Sequence, residues 1–342
     1  MLPQASTDGS GSRAMTTRWG VAGTGGMAAA FLADFVHVPT HEVVAIGSRT
    51  RERAQGFAEP WGAAAMTYAE LVTADLDVLY VATPHPQHRD LALAAIRNGT
   101  PVLVEKSFTA TLDGAREVVA AARDAGVFCM EAMWTRFQPA VLQARELAAA
   151  GEIGEVVSVQ ADFGAHRVYD PTHRLFAPEL GGGAVLDLGV YVISIAQHFL
   201  GTPSGVTAAG ALYPNGTDAS VSLLLSYDDG RAAALSTTLQ AATGCRATVV
   251  GTRGSIEIVP PFYHPTRLVV RREGEPAQEI DAPALGVGYS HEITHVAQCL
   301  EAGLTESPLM PLQDTVDVQW VMQEALDQLG VSPEEGTVDV SR

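Results

Sequence analysis

An apolar strand that runs into glycines and then into a helix, RWGVAGTGGMAAAFLADF from Arg18, most limits what this 342-residue chain can fold into. Gly23, Gly25 and Ala28 are spaced Gly-x-Gly-x-x-Ala. Glycines at such a junction permit a tight turn and let the backbone approach a pyrophosphate, while the helix N-terminus adds N–H donors and a favourable dipole. In this strand-loop-helix setting Gly23, Thr24, Gly25, Gly26 and Met27 read as a dinucleotide-binding loop. The segments that follow repeat the theme. HEVVAIGS, DVLYVATP, PVLVEKS and VFCMEAMW read as further strands, and RERAQGFAEPWG, HPQHRDLALAAIRNG and LDGAREVVAAARDAG as helices. MTYAELVTA reads as a short loop and helix. Apolar strands separated by helices predict a parallel sheet covered on both faces, a doubly wound α/β domain over residues 16–136.

Beyond about residue 150 the pattern changes. EVVSVQADFG, GVTAAGALY, ASVSLLLSYDDGRAAALSTTLQ, CRATVVGTRGSIEIV and TRLVVRREG follow one another through turns such as Asp229-Gly230, with no helix between most of them. They predict an α+β domain over residues 137–290 built on a large, mostly antiparallel sheet, one face covered by helices or by a partner subunit. HEITHVAQCLEAG and LQDTVDVQWVMQEALDQLG, within 291–330, are expected to return as helices against the first domain.

A net charge of −18 excludes sequence-independent binding to nucleic acid or to an anionic membrane, since phosphate contacts need clustered cations. Cys129, Cys245 and Cys299 are too few and too scattered for a disulfide framework or a zinc ribbon, so a cytoplasmic compartment is expected. No run approaches 18 apolar residues without a break. Residues 1–15, polar and rich in glycine and serine, read as a disordered leader ahead of an alternative start at Met15.

The second strand ends in Ser48-Arg49, where an NAD-specific site carries an acid for the ribose hydroxyl. With no carboxylate to repel a 2′-phosphate, Ser48 can hydrogen-bond it and Arg49 can pair with it, with Arg53 one turn further on. NADP(H) is favoured over NAD(H). Arg49 as a plain solvated charge is the alternative.

Lys106 is the only lysine among 21 basic side chains. An ammonium is compact and its proton affinity responds to burial, whereas guanidinium stays charged, so a lone lysine in an arginine-tolerant chain marks a chemical role. It stands at the carboxyl end of the fourth strand, the edge at which ligands bind in open α/β sheets, beside Thr83, Pro84 and His85 from the third.

These motifs, together with GTGGMA, PHPQH, VEKSF, MEAMWTRFQPA and LGGGAVLDLGVY, resemble the glucose–fructose oxidoreductase and inositol dehydrogenase (Gfo/Idh/MocA) family, in particular its dihydrodiol and NADP-dependent D-xylose dehydrogenase branch. Where the family usually has Glu-Lys-Pro, this chain has Glu105-Lys106-Ser107. The resemblance implies a cofactor site that includes His85, His88, Glu105 and Lys106, with Tyr191 as proton donor and acceptor and Lys106 beside it to stabilise the phenolate. The Asp187-x-x-x-Tyr191 spacing puts both side chains on one helix face, with Asp187 in the site or capping a nearby loop. Trp134 and Arg136 are expected to wall the nicotinamide pocket, and Phe163 and Phe176 to line the substrate side. A small-molecule sugar or cyclic diol is the implied substrate, and a homodimer or homotetramer through the C-terminal sheet the implied assembly. A non-catalytic NADP(H)-binding sensor is the alternative reading. His291-Glu292-Ile293-Thr294-His295 matches the zinc peptidase motif H-E-x-x-H, but no third ligand is evident and the phosphate loop would remain unexplained, so no metal is expected.

Overall fold

The computed structural model describes residues 16–340; the leader expected over 1–15 lies outside them. The first sheet has six parallel strands, β1 (Thr17–Ala22), β2 (His41–Ser48), β3 (Ala64–Thr67), β4 (Val78–Val81), β5 (Val102–Glu105) and β6 (Cys129–Ala132), in the order β3-β2-β1-β4-β5-β6. Helices α1 (Gly26–Ala33), α2 (Arg51–Ala58), α3 (Tyr68–Val72), α4 (His88–Arg97) and α5 (Leu112–Ala125) make the crossovers. Every residue of β4, β5 and β6 is buried, as a sheet covered on both faces requires. The strand order reverses between β1 and β4, which opens a crevice at their carboxyl ends.

The sequence reading missed β3. It is four residues long and runs directly into α3 through a capping box, in which Thr67 accepts from the Glu70 N–H and Glu70 from the Thr67 N–H. The short AAMT run carries no period of its own, and the capping signal dominates the stretch.

The second sheet has eight strands in the order β14-β13-β12-β11-β7-β10-β9-β8. They are β7 (Val156–Gly164), β8 (Gly205–Leu212), β9 (Asp218–Ser226), β10 (Ala232–Thr238), β11 (Ala247–Gly251), β12 (Gly254–Ile258), β13 (Arg267–Arg272) and β14 (Gln278–Asp281). All neighbours pair antiparallel except β7 and β10. Helices α6 (Pro139–Ala149) and α7 (Val190–Leu200) cover one face of this sheet. The stretch Pro178–Leu200, although Glu179 and Asp187 interrupt it, is long and apolar enough by composition to cross a membrane, with a mean hydropathy of 1.5; 94% of its most apolar window is buried within the fold, so that character belongs to the core.

Helices α8 (Tyr289–Glu301) and α9 (Leu312–Gln328) close the molecule, α9 against α5, α7 and β8. The N-terminus of α8 is capped from the first sheet's layer: the buried Asp34 carboxylate accepts from the N–H groups of Val287, Gly288 and Ser290 at 2.9, 2.9 and 3.1 Å. Asp34→Ala leaves these donors unpaired, and a loss of about 2–4 kcal/mol in unfolding free energy is expected by denaturant titration. Beyond α9 the chain runs back along the first sheet's helices, where Thr111 N and Oγ1 donate to Glu335, Gly336 N to the Pro86 carbonyl and Val338 N to Asp90.

Candidate active site

A cleft of about 560 Å³ opens along the carboxyl ends of β1, β2, β4, β5 and β6 and reaches the second sheet. Its floor is the loop Gly23 to Met27. Gly23 has φ +123°, and a Cβ there would stand 2.5 Å from the Ala82 carbonyl, so the close passage of β1 past β4 requires glycine. The N-terminus of α1 points from Gly25 and Gly26 into the cleft, a ready anion cradle.

At the β2 end Ser48 is buried, while Arg49 and Arg53 are exposed along the rim. Arg51, the third arginine of this stretch, is turned away and pairs with Glu70. Tyr68, which the sequence reading did not single out, lines the same end. Burial raises its phenol above the ordinary value, and the nearby Arg49, Ser48 and Arg53 offset only part of the rise.

Thr83, Pro84 and His85 line the middle of the cleft, where the His85 ring is within 3.2 Å of the Gly181 carbonyl. Burial, with the adjacent His88 and the Lys106 charge, depresses His85 to about 3, so its imidazole is neutral at physiological pH.

Glu105 and Lys106 end β5. Tyr80 donates to Glu105 Oε1 at 2.5 Å and the Lys106 N–H to Oε2 at 3.1 Å, which fixes the backbone that carries the lysine. Opposite stands the loop Gly181-Gly182-Gly183, which leads into a π-turn, Val185–Gly189, and then α7. Gly183 has φ +124°, and a Cβ there would collide with the Asp218 carboxylate, whose Oδ2 accepts from the Val185 N–H at 2.6 Å. A π-turn shifts the helical ladder by one residue and frees carbonyls for outside donors. Two are used here: Ser107 Oγ donates to the Leu186 carbonyl at 2.7 Å, and Lys106 Nζ to that of Asp187 at 2.8 Å. Ser107 thus ties the lysine loop to the second domain.

Lys106 Nζ also lies 3.9 Å from the Asp187 carboxylate and 4.7 Å from the centroid of the Tyr191 ring, over its face. Burial pushes the Asp187 carboxyl up, but Lys106 and Arg174 together outweigh it and hold the group below its ordinary value. Arg174 reaches Asp187 Oδ1 with both terminal nitrogens at 3.3 Å. Burial, with Tyr289 and Glu105 nearby, raises the Tyr191 phenol well above its usual range, and a hydrogen bond from Trp134 Nε1 at 3.1 Å opposes the shift. Phe163 and Tyr263 stack at 4.5 Å beside Tyr191 and complete an aromatic wall.

Family models match both halves of the chain: residues 17–133 fit the oxidoreductase family with NAD-binding Rossmann fold, and residues 141–257 the GFO/IDH/MocA C-terminal domain. The trans-1,2-dihydrobenzene-1,2-diol dehydrogenase of Xenopus laevis is 39% identical over 332 residues, 93% of this chain and 99% of that one. The chain belongs to the Gfo/Idh/MocA oxidoreductase family. It is an enzyme, a dehydrogenase of that family. Among solved structures, a 3-ketoreductase from Actinomadura kijaniata in complex with NADP and TDP-benzene superposes with a TM-score of 0.78 at 26% identity, covering 91% of this chain and 97% of that one. The aldose–aldose oxidoreductase from Caulobacter crescentus, 23% identical over 92% of this chain and 98% of its own, shares the fold with a TM-score of 0.84.

In this Gfo/Idh/MocA chain three expected site residues stand elsewhere. Arg136 is buried behind the cleft, where it donates to Asp314 and Gln197, both at 2.5 Å, and to Ser194 Oγ at 3.1 Å; it joins α7 to α9. His88 faces inward and bridges the Ser107 carbonyl at 3.0 Å and the Thr83 carbonyl at 2.7 Å, supporting the two loops that carry Lys106 and His85 without lining the cleft. Phe176 packs against Tyr169 and Tyr213, outside the substrate wall. Besides Tyr68, the sequence reading missed Arg174, Leu180 and Leu188, from the stretch that leads into and through the π-turn, and Tyr263, from the loop after β12. The histidines of the H-E-x-x-H segment have separate partners: His291 Nε2 accepts from the Leu285 N–H at 3.0 Å, while His295 Nε2 is 2.7 Å from Ser307 Oγ. Glu292 between them is buried, and burial raises its carboxyl well above the usual range.

Proposed function

We propose that the chain is an NADP(H)-dependent dehydrogenase of a sugar or cyclic trans-diol, with Tyr191 as the proton carrier and Lys106 as its cationic neighbour. The observation that carries this reading is the ammonium of Lys106 over the Tyr191 ring at 4.7 Å, at the end of a cleft that begins in a glycine phosphate loop. The cradle fits a dinucleotide: Gly23 to Met27 would hold the pyrophosphate, Ser48, Arg49 and Arg53 the 2′-phosphate, and Lys106 and Trp134 would flank the nicotinamide. When bound, the nicotinamide supplies hydride transfer at its C4. Tyr191 takes the hydroxyl proton in oxidation and returns it in reduction, and Lys106 lowers the cost of negative charge on the phenol oxygen. The Asp187 carbonyl fixes the ammonium in place. Phe163, Tyr263 and Trp134 offer ring faces to a cyclic substrate and exclude water around the reacting carbon.

The Xenopus laevis relative, a trans-1,2-dihydrobenzene-1,2-diol dehydrogenase, supports the diol class. A panel of sugars and diols, read at the nicotinamide absorbance with NADP⁺ and NAD⁺, tests the reading. Turnover with at least one sugar or diol is expected, with kcat/KM for NADP⁺ above that for NAD⁺, and a panel without turnover overturns it. Arg49→Ala should lower kcat/KM for NADP⁺ by about 10- to 100-fold, because a charge-assisted bond to phosphate is lost, and leave that for NAD⁺ nearly unchanged. An equal effect on both cofactors would remove Arg49 from phosphate recognition.

We also propose assembly into a homodimer or homotetramer through the uncovered face of the second sheet. Leu224 on β9 is 51% exposed there, in register with Ala234 and, one strand further, Gln160. Light scattering of Leu224→Glu, expected to shift toward monomer, checks this.

A further inference from the structure

Among the described residues, the indole of Trp134 makes the only hydrogen bond to the Tyr191 hydroxyl oxygen, at 3.1 Å. Lys106 makes none: its ammonium sits over the ring and donates to the Asp187 carbonyl. An indole N–H can donate but never accept, so the Tyr191 proton must point away from it. The Trp134 ring is held firmly enough to impose this direction. It stacks on Tyr289 at 4.5 Å with an interplanar angle of 18° and on His264 at 5.5 Å, and its carbonyl accepts from Gln138 at 3.2 Å.

We propose that Trp134 is a positioning residue for the proton carrier: its N–H turns the Tyr191 proton toward the cleft and, once that proton has left, becomes a charge-assisted hydrogen bond that favours the phenolate. This rests on the reading of Tyr191 given above. The charged and titratable groups around the phenol are Glu105 and Lys106 at the end of β5, Asp187 on the π-turn, Arg174 and His85 at the cleft wall, Tyr289 on α8, and Tyr263 and His264 on the loop after β12. Burial, Tyr289, Glu105 and Asp187 all oppose ionisation of Tyr191, whereas the Trp134 hydrogen bond acts against them. The Trp134 donor offsets part of that opposition at the oxygen itself, while the Lys106 ammonium acts over the ring.

Trp134→Phe keeps an aromatic ring against Tyr289 and removes the N–H. In the direction of alcohol oxidation, the rising limb of kcat/KM against pH should move up by about half to one pH unit. The variant then loses about three- to tenfold below the limb and recovers above it. A second measurement needs neither cofactor nor turnover. In protein carrying fluorinated tyrosines, which ionise at lower pH, the phenolate absorbance that Tyr191→Phe abolishes should appear at higher pH in Trp134→Phe than in the parent. Trp134→His, which restores a ring N–H, should move the limb back toward the parent. If Tyr191→Phe is inactive but Trp134→Phe loses the same factor at every pH, with both titrations unmoved, Trp134 only packs and the proposal falls alone. If Tyr191→Phe retains turnover, the proton-carrier reading falls and takes this one with it.

Discussion

Lys106→Met is expected to lower kcat for alcohol oxidation by about 100- to 1000-fold, the usual loss when a preorganised charge facing a developing anion is removed. Methionine approximates the length of the aliphatic stem, so the packing against the π-turn persists. What goes is the ammonium, its bond to the Asp187 carbonyl and its field over the Tyr191 ring. Glu105 is held by Tyr80 and by the backbone N–H of residue 106, neither of which the substitution touches. The thermal midpoint and the dissociation constant of the dinucleotide, read by tryptophan fluorescence, should therefore change far less than kcat. Lys106→Arg is not expected to rescue. The bulkier guanidinium keeps the charge but spreads it over a planar group and holds its protons more tightly than an ammonium, so it does not reproduce the point charge bound to the Asp187 carbonyl over the phenol. This gives the lone lysine of an otherwise arginine-only chain a physical reason. Turnover within tenfold of the parent in Lys106→Met would remove the residue from the mechanism.

Tyr191→Phe is expected to cost about 100- to 10,000-fold in kcat, the span assigned to a positioned acid or base. The ring, its contact with Phe163 and its face toward Lys106 all remain. Only the hydroxyl is lost, and with it the acceptor for the Trp134 N–H, so stability should fall by no more than about 1–3 kcal/mol. A fall in kcat with KM nearly unchanged separates lost chemistry from lost binding. A comparable loss in the reduction direction, in which the same oxygen must donate, would complete the assignment.

The architecture was legible where the chain repeats one physical solution. Apolar strands ending in small residues, each followed by a helix, gave the first sheet, and Asp229-Gly230 between two runs rich in leucine, alanine and serine gave the β9–β10 hairpin. Elements without a period of their own were lost. Besides β3, the edge strand β14, Gln278–Asp281, is mostly exposed and carries two acids, which suits an edge but resembles a loop in sequence. Among the cleft residues, the glycine loop, the Ser48-Arg49 pair and Lys106 could be found because each sits at a fixed offset from a strand end or a helix start, whereas Asp187 and Tyr191 came through the family resemblance. Arg136 could not be judged that way. It too follows a strand end, but its partners Asp314 and Gln197 are supplied by helices distant in sequence, and only the fold shows the guanidinium spent on them. His88 has the same difficulty at shorter range, since one helical turn after His85 it points back at two carbonyls. Arg174 and Tyr263 had no local signature: they reach the cleft only because the chain folds the second sheet over its mouth.

The most direct measurement is a crystal structure of the protein with NADP⁺ and a substrate sugar or diol. The reacting oxygen of the substrate is expected within hydrogen-bond distance of the Tyr191 hydroxyl, the Lys106 ammonium beside that phenol, and the ribose phosphate at Ser48 and Arg49. A substrate oxygen bound at another side chain, with Tyr191 and Lys106 remote from the nicotinamide, would contradict the assignment of the proton carrier and its cation.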